Sequence, residues 1–205
     1  RANKSNNIKK YAILGVLILL AGFFSIVTDS FLTASNLMNI SRQVSMLGIS
    51  AVGMTCVILT SGIDLSVGSV MAIVNIIGAK LMTEAGLPIF PAAVITLIVA
   101  AIVGLINGVM ISYVGVPAFI VTLATMISLR GLAYVLCAGM PIWGLPDAFR
   151  TLGQGYLGPI PIPVIIMLIV FAIGWVFLNR TKTGRYIYGL GGNKEAVRLA
   201  GIRTA

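Results

Sequence analysis

The chain has 205 residues, a mean hydropathy of +1.07, 59% hydrophobic residues and only 9% charged ones. A water-soluble domain carries about 25% charged residues, so a soluble fold could not cover its surface with this set, and the apolar content is too high for disorder. Histidine is absent and the two cysteines, Cys56 and Cys137, lie far apart in apolar segments, which argues against histidine-dependent catalysis, a Cys/His metal site and a disulfide framework.

What remains is an integral membrane protein, and apolar segment length sets its architecture. The first span is Tyr11 to Val27, with Lys9 and Lys10 before it and Asp29 after it. A basic start and an apolar run also describe a signal peptide, but this run is long and no A-x-A site follows, so an uncleaved first helix is expected. Because the chain opens on Arg1 rather than Met, some N-terminal sequence is expected to be missing. The second span runs from about Val44 to Thr60, and the polar, Gly-rich stretch 61–69 (SGIDLSVGS) interrupts the chain after it. A third runs from Val70 to Met82, long enough to cross only if it begins near Leu65. The fourth is Ile89 to Ser112, and the link 113–117 turns the chain. The fifth is Ala118 to Ala138, with Arg130 inside it. Residues 139–163 read as a Pro/Gly-rich loop, and the sixth span is Val164 to Leu178. About six spans of roughly 17–24 residues suit a hydrocarbon core of about 30 Å.

Charge orients the spans. With a cytoplasmic N-terminus, Arg1, Lys4, Lys9, Lys10, Arg180, Lys182, Arg185, Lys194, Arg198 and Arg203 lie inside, while only Arg42, Lys80 and Arg150 fall outside. This asymmetry follows the positive-inside rule and accounts for the net charge of +9 without a nucleic-acid partner. Both ends are expected in the cytoplasm. No P-loop sequence occurs, so the chain itself is not expected to hydrolyse ATP. No catalytic residue, metal site or cofactor is expected.

Within the fourth span Thr96, Ala100, Gly104, Gly108 and Ser112 recur every four residues, forming a small-residue stripe of the kind that lets membrane helices approach closely. Asp64 in the interruption is costly at membrane depth, about 3 kcal/mol on insertion scales. With Ser61, Gly62 and Ser66 it marks either an unwound segment beside a polar pathway or a turn in which Asp64 or Ser66 caps the next helix. Asn75 and Asn107 face the pathway or bond a neighbouring helix. Arg130 pairs with Asp64, splits its span or snorkels to an interface.

Beyond the sixth span, Gly191 and Gly192 read as a turn, Asn193 as an N-cap, Glu195 as a first-turn acid and Gly201 as a stop, with Ala196, Leu199 and Ala200 on one face. The result is a helix of about eight residues, too short to stand alone in water, which needs lipid headgroups or a partner's groove to dock on.

Here Glu195-Ala196-Val197-x-x-x-Gly201 resembles the Glu-Ala-Ala-x-x-x-Gly cytoplasmic loop of ABC importer permeases, with Val197 departing from the second alanine. Residues 51–69 (AVGMTCVILTSGIDLSVGS) and 183–193 (TGRYIYGLGGN) are similar to the ribose/galactose/xylose branch of that family. The resemblance implies a homodimeric, ABC importer permease-like, all-α polytopic helix bundle in the inner membrane. A cytoplasmic ATP-binding subunit would drive it, and an extracytoplasmic sugar-binding protein would feed it. It further implies one permease domain over 1–205, with the bundle in 11–178, a cytoplasmic loop with a coupling helix in 179–205, and more spans beyond Ala205. Gly191, Gly192, Asn193, Glu195, Ala196, Arg198, Leu199 and Gly201 would then couple to the ATPase. An ion-coupled secondary transporter and a non-transporting scaffold are the competing readings.

Overall fold

The computed structural model describes residues 2–202, with side chains from residue 12 onward; Arg1, Arg203 and the side chains of Lys4, Lys9, Lys10 and Tyr11 lie outside the described residues. In chain order the elements are α1 (Ala2–Val27), α2 (Ala34–Leu59), α3 (Val67–Thr83), α4 (Ile89–Ser112), α5 (Ala118–Leu136) and α6 (Asp147–Gln154). A small hairpin follows, β1 (Tyr156–Leu157) with β2 (Ile160–Pro161), and then α7 (Ile162–Arg180), α8 (Lys182–Gly192) and α9 (Lys194–Leu199). Every expected span is a helix, and the helical membrane bundle stands. Among the described residues four of them, α2, α4, α5 and α7, are long and apolar enough to cross a membrane; α3 is a shorter apolar helix, and Ala12–Val27 is the apolar part of α1 within the described side chains. Only 6% to 17% of each long span is buried within the chain, so most of its apolar surface needs lipid or other helices.

The chain divides into compact units at residues 1–44 and 45–205. In the first, the turn after α1 is closed by side chains. The Asn36 side-chain amide donates to the Phe31 carbonyl at 2.7 Å, the Asn36 backbone N–H donates to Thr33 Oγ1 at 3.3 Å, and the Phe24 and Phe31 rings lie 5.9 Å apart.

In the second unit α3 packs along both α4 and α5 and carries the most enclosed positions, among them Ile73, Ser69, Gly78 and Met82. Its 17 residues span only about 26 Å at 1.5 Å per residue, short of a hydrocarbon core of about 30 Å. The expected start near Leu65 is corrected to Val67, because 62–66 form a non-helical stretch leading into the helix. The 139–163 loop is also corrected. Pro146 opens α6, Gly155 ends it, and Gly158, at φ +61°, turns the hairpin. Arg130 does not split its span, since α5 runs unbroken through it. It is exposed and, among the described residues, has no ion pair, so it is not bonded to Asp64.

Close helix contacts fall at other glycines than the α4 stripe. A Cβ added at Gly174 would lie 2.5 Å from Val52 Cγ1, and one at Gly48 would lie 2.6 Å from Met167 Sδ, so α2 and α7 meet where side chains are missing. Within the stripe, Thr96 meets α3 at Gly78, whereas a Cβ at Gly104 or Gly108 would find no atom within 4 Å. The lower half of the stripe faces open space.

Candidate functional site

The open space is a cavity of about 450 Å³. Ser61, Gly62 and Asp64 line it from the interruption, Gly104, Asn107, Gly108 and Ser112 from α4, Ala118 and Thr122 from α5, Leu190 from α8 and Lys194 from α9. Its volume falls within the roughly 300–1,000 Å³ typical of small-molecule sites.

The wall nearest α2 is built by a helix end. Ser61 N–H donates to the Ile58 carbonyl at 2.9 Å and Gly62 N–H to the Val57 carbonyl at 3.0 Å, the paired bonds of a Schellman motif. Ser61 sits at φ +60°, a left-handed conformation that glycine adopts more cheaply, and a non-glycine there costs on the order of 1–2 kcal/mol. The residue that bears this strain lines the cavity, and the adjacent Gly62, which lines it too, does not take the left-handed position.

Beyond it, a one-way chain of hydrogen bonds ties the interruption to two helices. Ser66 donates to Asp64 Oδ1 twice, from its backbone N–H at 2.8 Å and from its hydroxyl at 2.6 Å. With the Ser66 proton used there, its oxygen accepts from Asn107 Nδ2 at 3.2 Å, and Thr125 Oγ1 donates to Asn107 Oδ1 at 2.6 Å. The Thr122 hydroxyl lies 2.8 Å from the Ala118 carbonyl oxygen and 3.2 Å from that of Ile63. Ser66, Thr122 and Asn107 are 1%, 2% and 6% exposed, so these polar groups are satisfied within the protein, Ser66 and Asn107 by side chains and Thr122 by backbone carbonyls, rather than by solvent. Every donor in the chain points toward Asp64. The other carboxylate oxygen takes no hydrogen bond among the described residues. Lys194 lines the same cavity without pairing with it.

The expected residues thus divide. Ser61, Gly62, Asp64 and Asn107 come together, with Gly104, Gly108 and Ser112 beside them; Ser66 is buried behind Asp64. As for capping, Ser66 is the N-cap residue of α3 but its side chain makes no cap bond, and Asp64 instead closes a turn just ahead of the helix. Asn75 lies apart. It is exposed, and it borders a separate cavity with Cys137, Met140 and Phe149. Ala100 sits higher on α4, outside the cavity lining. The sequence reading missed Thr122 and Thr125. The available signal was two hydroxyls at i, i+3 on one face of an apolar span.

At the same end, α9 is a short capped unit. Asn193 Oδ1 accepts from Ala196 N–H at 3.0 Å, Glu195 pairs with Arg198 at 3.3 Å, and Gly201, at φ +79°, closes a Schellman motif with Ile202 N–H bonded to the Val197 carbonyl. The helix has six residues rather than about eight, because the reversal begins at Ala200. Gly191 and Gly192 are not a turn. They are the last residues of α8, and the chain changes direction at Asn193, with φ −158° and ψ 100°. Glu195, Ala196, Arg198 and Leu199 are exposed, Leu199 at 84%.

Residues 36–205 match the family model described as the branched-chain amino acid transport system / permease component. The chain belongs to that permease family. Among curated relatives, the permease is 46% identical to the ribose import permease protein of Haemophilus influenzae, covering 92% of this chain and 59% of the relative. It is 34% identical to an inner membrane ABC transporter permease protein of Escherichia coli K12 (93% and 59%) and 29% identical to the xylose transport system permease protein of the same strain (98% and 67%). The resemblance to sugar ABC permeases therefore holds. The chain spans about three-fifths of the length of the ribose permeases it matches. No solved structure matches it.

Proposed function

We propose that the chain is the membrane-spanning part of an importer that moves a monosaccharide, of the ribose or xylose class, into the cytoplasm and is driven by a separate ATPase. The observation that carries this reading is the 46% identity to a ribose import permease over 92% of the chain. The family description names amino acids while these relatives are named for sugars, and their alignment along nearly the whole chain supports a sugar. The cavity supports the reading, since it converges a carboxylate, an amide, an ammonium group and hydroxyls on one space, the donor and acceptor set a polyol needs. The exposed face of α9 supports a docked partner. A helix of six residues gains little from its own hydrogen bonds, and Leu199 projects into solvent unless another surface covers it.

In this reading the chain catalyses no bond chemistry. The cavity is the inner vestibule of the pathway, and the residues from Gly191 to Gly201 receive the ATPase's movement. A sugar-binding protein delivers from outside, and a second permease copy completes the membrane part. Both ends of the chain are cytoplasmic, as the basic residues at each end favour. An ion-coupled carrier would need no ATPase, which makes the test direct. The full-length permease is reconstituted in vesicles with its ATPase and binding protein, and uptake of radiolabelled ribose is followed with and without ATP, with leucine as the comparison. Glu195→Arg should lower ATP-driven uptake by at least tenfold while insertion is unchanged. ATP-independent uptake, or full activity of the variant, would refute the assignment.

A further inference from the structure

The helix pair α8–α9 meets the cavity wall at one backbone contact. A Cβ at Gly191 would fall on the carbonyl oxygen of Leu59, the last residue of α2, and lie 3.0 Å from the Leu59 carbonyl carbon. The next glycine differs: at Gly192 a Cβ would meet nothing within 4 Å. The obstacle is main chain, which cannot rotate away as a side chain would. Only glycine at 191 lets the end of α8 rest on the end of α2.

Both sides of this contact lead somewhere. On one side α9 is fixed to α8, because a Cβ at Gly189 would lie 3.0 Å from Val197 Cγ2, and the two helices are joined by the single residue Asn193. A displacement of α9 therefore carries α8 with it. On the other side Leu59 is followed by the left-handed Ser61 and then by Asp64, whose carboxylate terminates the Ser66–Asn107–Thr125 chain. Leu190 and Lys194 line the same cavity as Ser61 and Asp64. The contact joins the α8–α9 pair to the end of α2, two residues before Ser61 in the cavity wall.

We infer that Gly191 is a positioning residue for transport: it seats α8 on the α2 terminus, so that α2 and α8 move as one rigid piece and a push on α9 reaches the Ser61–Asp64 wall. The inference rests on the reading of α9 as the part gripped by an ATPase. It moves Gly191 from the partner's surface to the inside of the chain.

Two measurements test it, both on the full-length permease reconstituted with its ATPase and binding protein. In the first, Gly191→Ala is compared with Gly131→Ala, a helical glycine of α5 outside the cavity lining where a Cβ would meet nothing within 4 Å. Gly191→Ala is expected to leave ATP hydrolysis within about twofold of wild type but to raise the ATP consumed per sugar imported at least fivefold, while Gly131→Ala leaves that ratio unchanged. A structural defect alone would lower hydrolysis and uptake together and keep the ratio. An unchanged ratio in Gly191→Ala overturns the inference. The second does not depend on that variant folding. In a Cys56→Ser, Cys137→Ser background, Leu59→Cys on α2 and Tyr188→Cys on α8, neither of which lines the cavity, are bridged by a short bis-maleimide. If α2 and α8 move together, the bridged permease keeps at least half of its coupled uptake. If bridging abolishes uptake, the seat opens in the cycle and the inference falls. Were wild type itself to show no ATP-dependent uptake, the underlying reading would fail instead, which is a separate result.

Discussion

The pair Asn107–Thr125 allows a quantitative test of the buried hydrogen-bond chain. Asn107→Leu keeps the volume and removes two bonds, the one to Ser66 at 3.2 Å and the one from Thr125 at 2.6 Å. Hydrogen bonds contribute about 1 kcal/mol each in soluble proteins and about 0.6 kcal/mol each between membrane helices, so the expected loss is about 1–2 kcal/mol. The loss stays small because the freed Thr125 hydroxyl can turn to a carbonyl of its own helix, while Ser66 keeps its bonds to Asp64. Thr125→Val removes one bond and should cost about 0.6–1 kcal/mol. The decisive quantity is the double variant. Once Asn107 is gone the Thr125 bond no longer exists, so Thr125→Val should add almost nothing, and the coupling energy should equal about 0.6–1 kcal/mol. Unfolding of the full-length permease in bicelles by increasing dodecyl sulfate measures all four corners of the cycle. Asn75→Leu is the control, an exposed amide on α3 with no hydrogen bond among the described residues, and should change stability by less than about 0.5 kcal/mol. Losses that add to within about 0.3 kcal/mol would refute the chain as drawn.

Two further outcomes follow from the cavity. Asp64→Asn keeps an oxygen able to accept both Ser66 bonds and removes only the charge, so stability should fall by about 1 kcal/mol or less, while ATP-driven uptake in the vesicle assay falls at least tenfold; wild-type uptake would reduce Asp64 to a turn-former. A Cβ at position 108 meets no atom within 4 Å, and Gly108→Leu gains helix propensity of up to about 1 kcal/mol, so the protein should unfold no more easily than wild type, yet uptake should drop because the side chain enters the cavity. If size-exclusion chromatography instead showed loss of the assembled permease with conduction intact in what remains, the stripe would be a seam against another chain.

Much of this molecule was legible in the residues. Charge depletion and apolar run length dictated a helical membrane bundle, because lipid admits only helices and closed barrels and these apolar runs are longer than the roughly 9–11 residues of a barrel strand. The helix boundaries came close where local chemistry sets them. Pro88 and Pro117 stand as N-caps of α4 and α5, and Asn193 caps α9 by its own side chain. Local chemistry misled where a neighbour overruled it. Gly191 and Gly192 look like a turn by composition, yet they remain helical, and at Gly191 the α2 terminus leaves no room for a side chain.

What only the tertiary structure decided was which way each span faces. In a soluble helix the buried stripe is apolar and the exposed face polar, so orientation can be read from periodicity. Here the surrounding lipid is as apolar as the interior, and α4 and α7 are apolar nearly all round, so that contrast vanishes. The residues therefore marked Gly104 and Gly108 as small without showing that they border a cavity. Nor did they show that Thr125 bonds Asn107, or that Asn107 reaches a serine 41 residues earlier in the chain. Composition and run length placed the protein in the membrane and cut it into spans; the contacts among α2, α3, α4, α5 and α8 made a site of them.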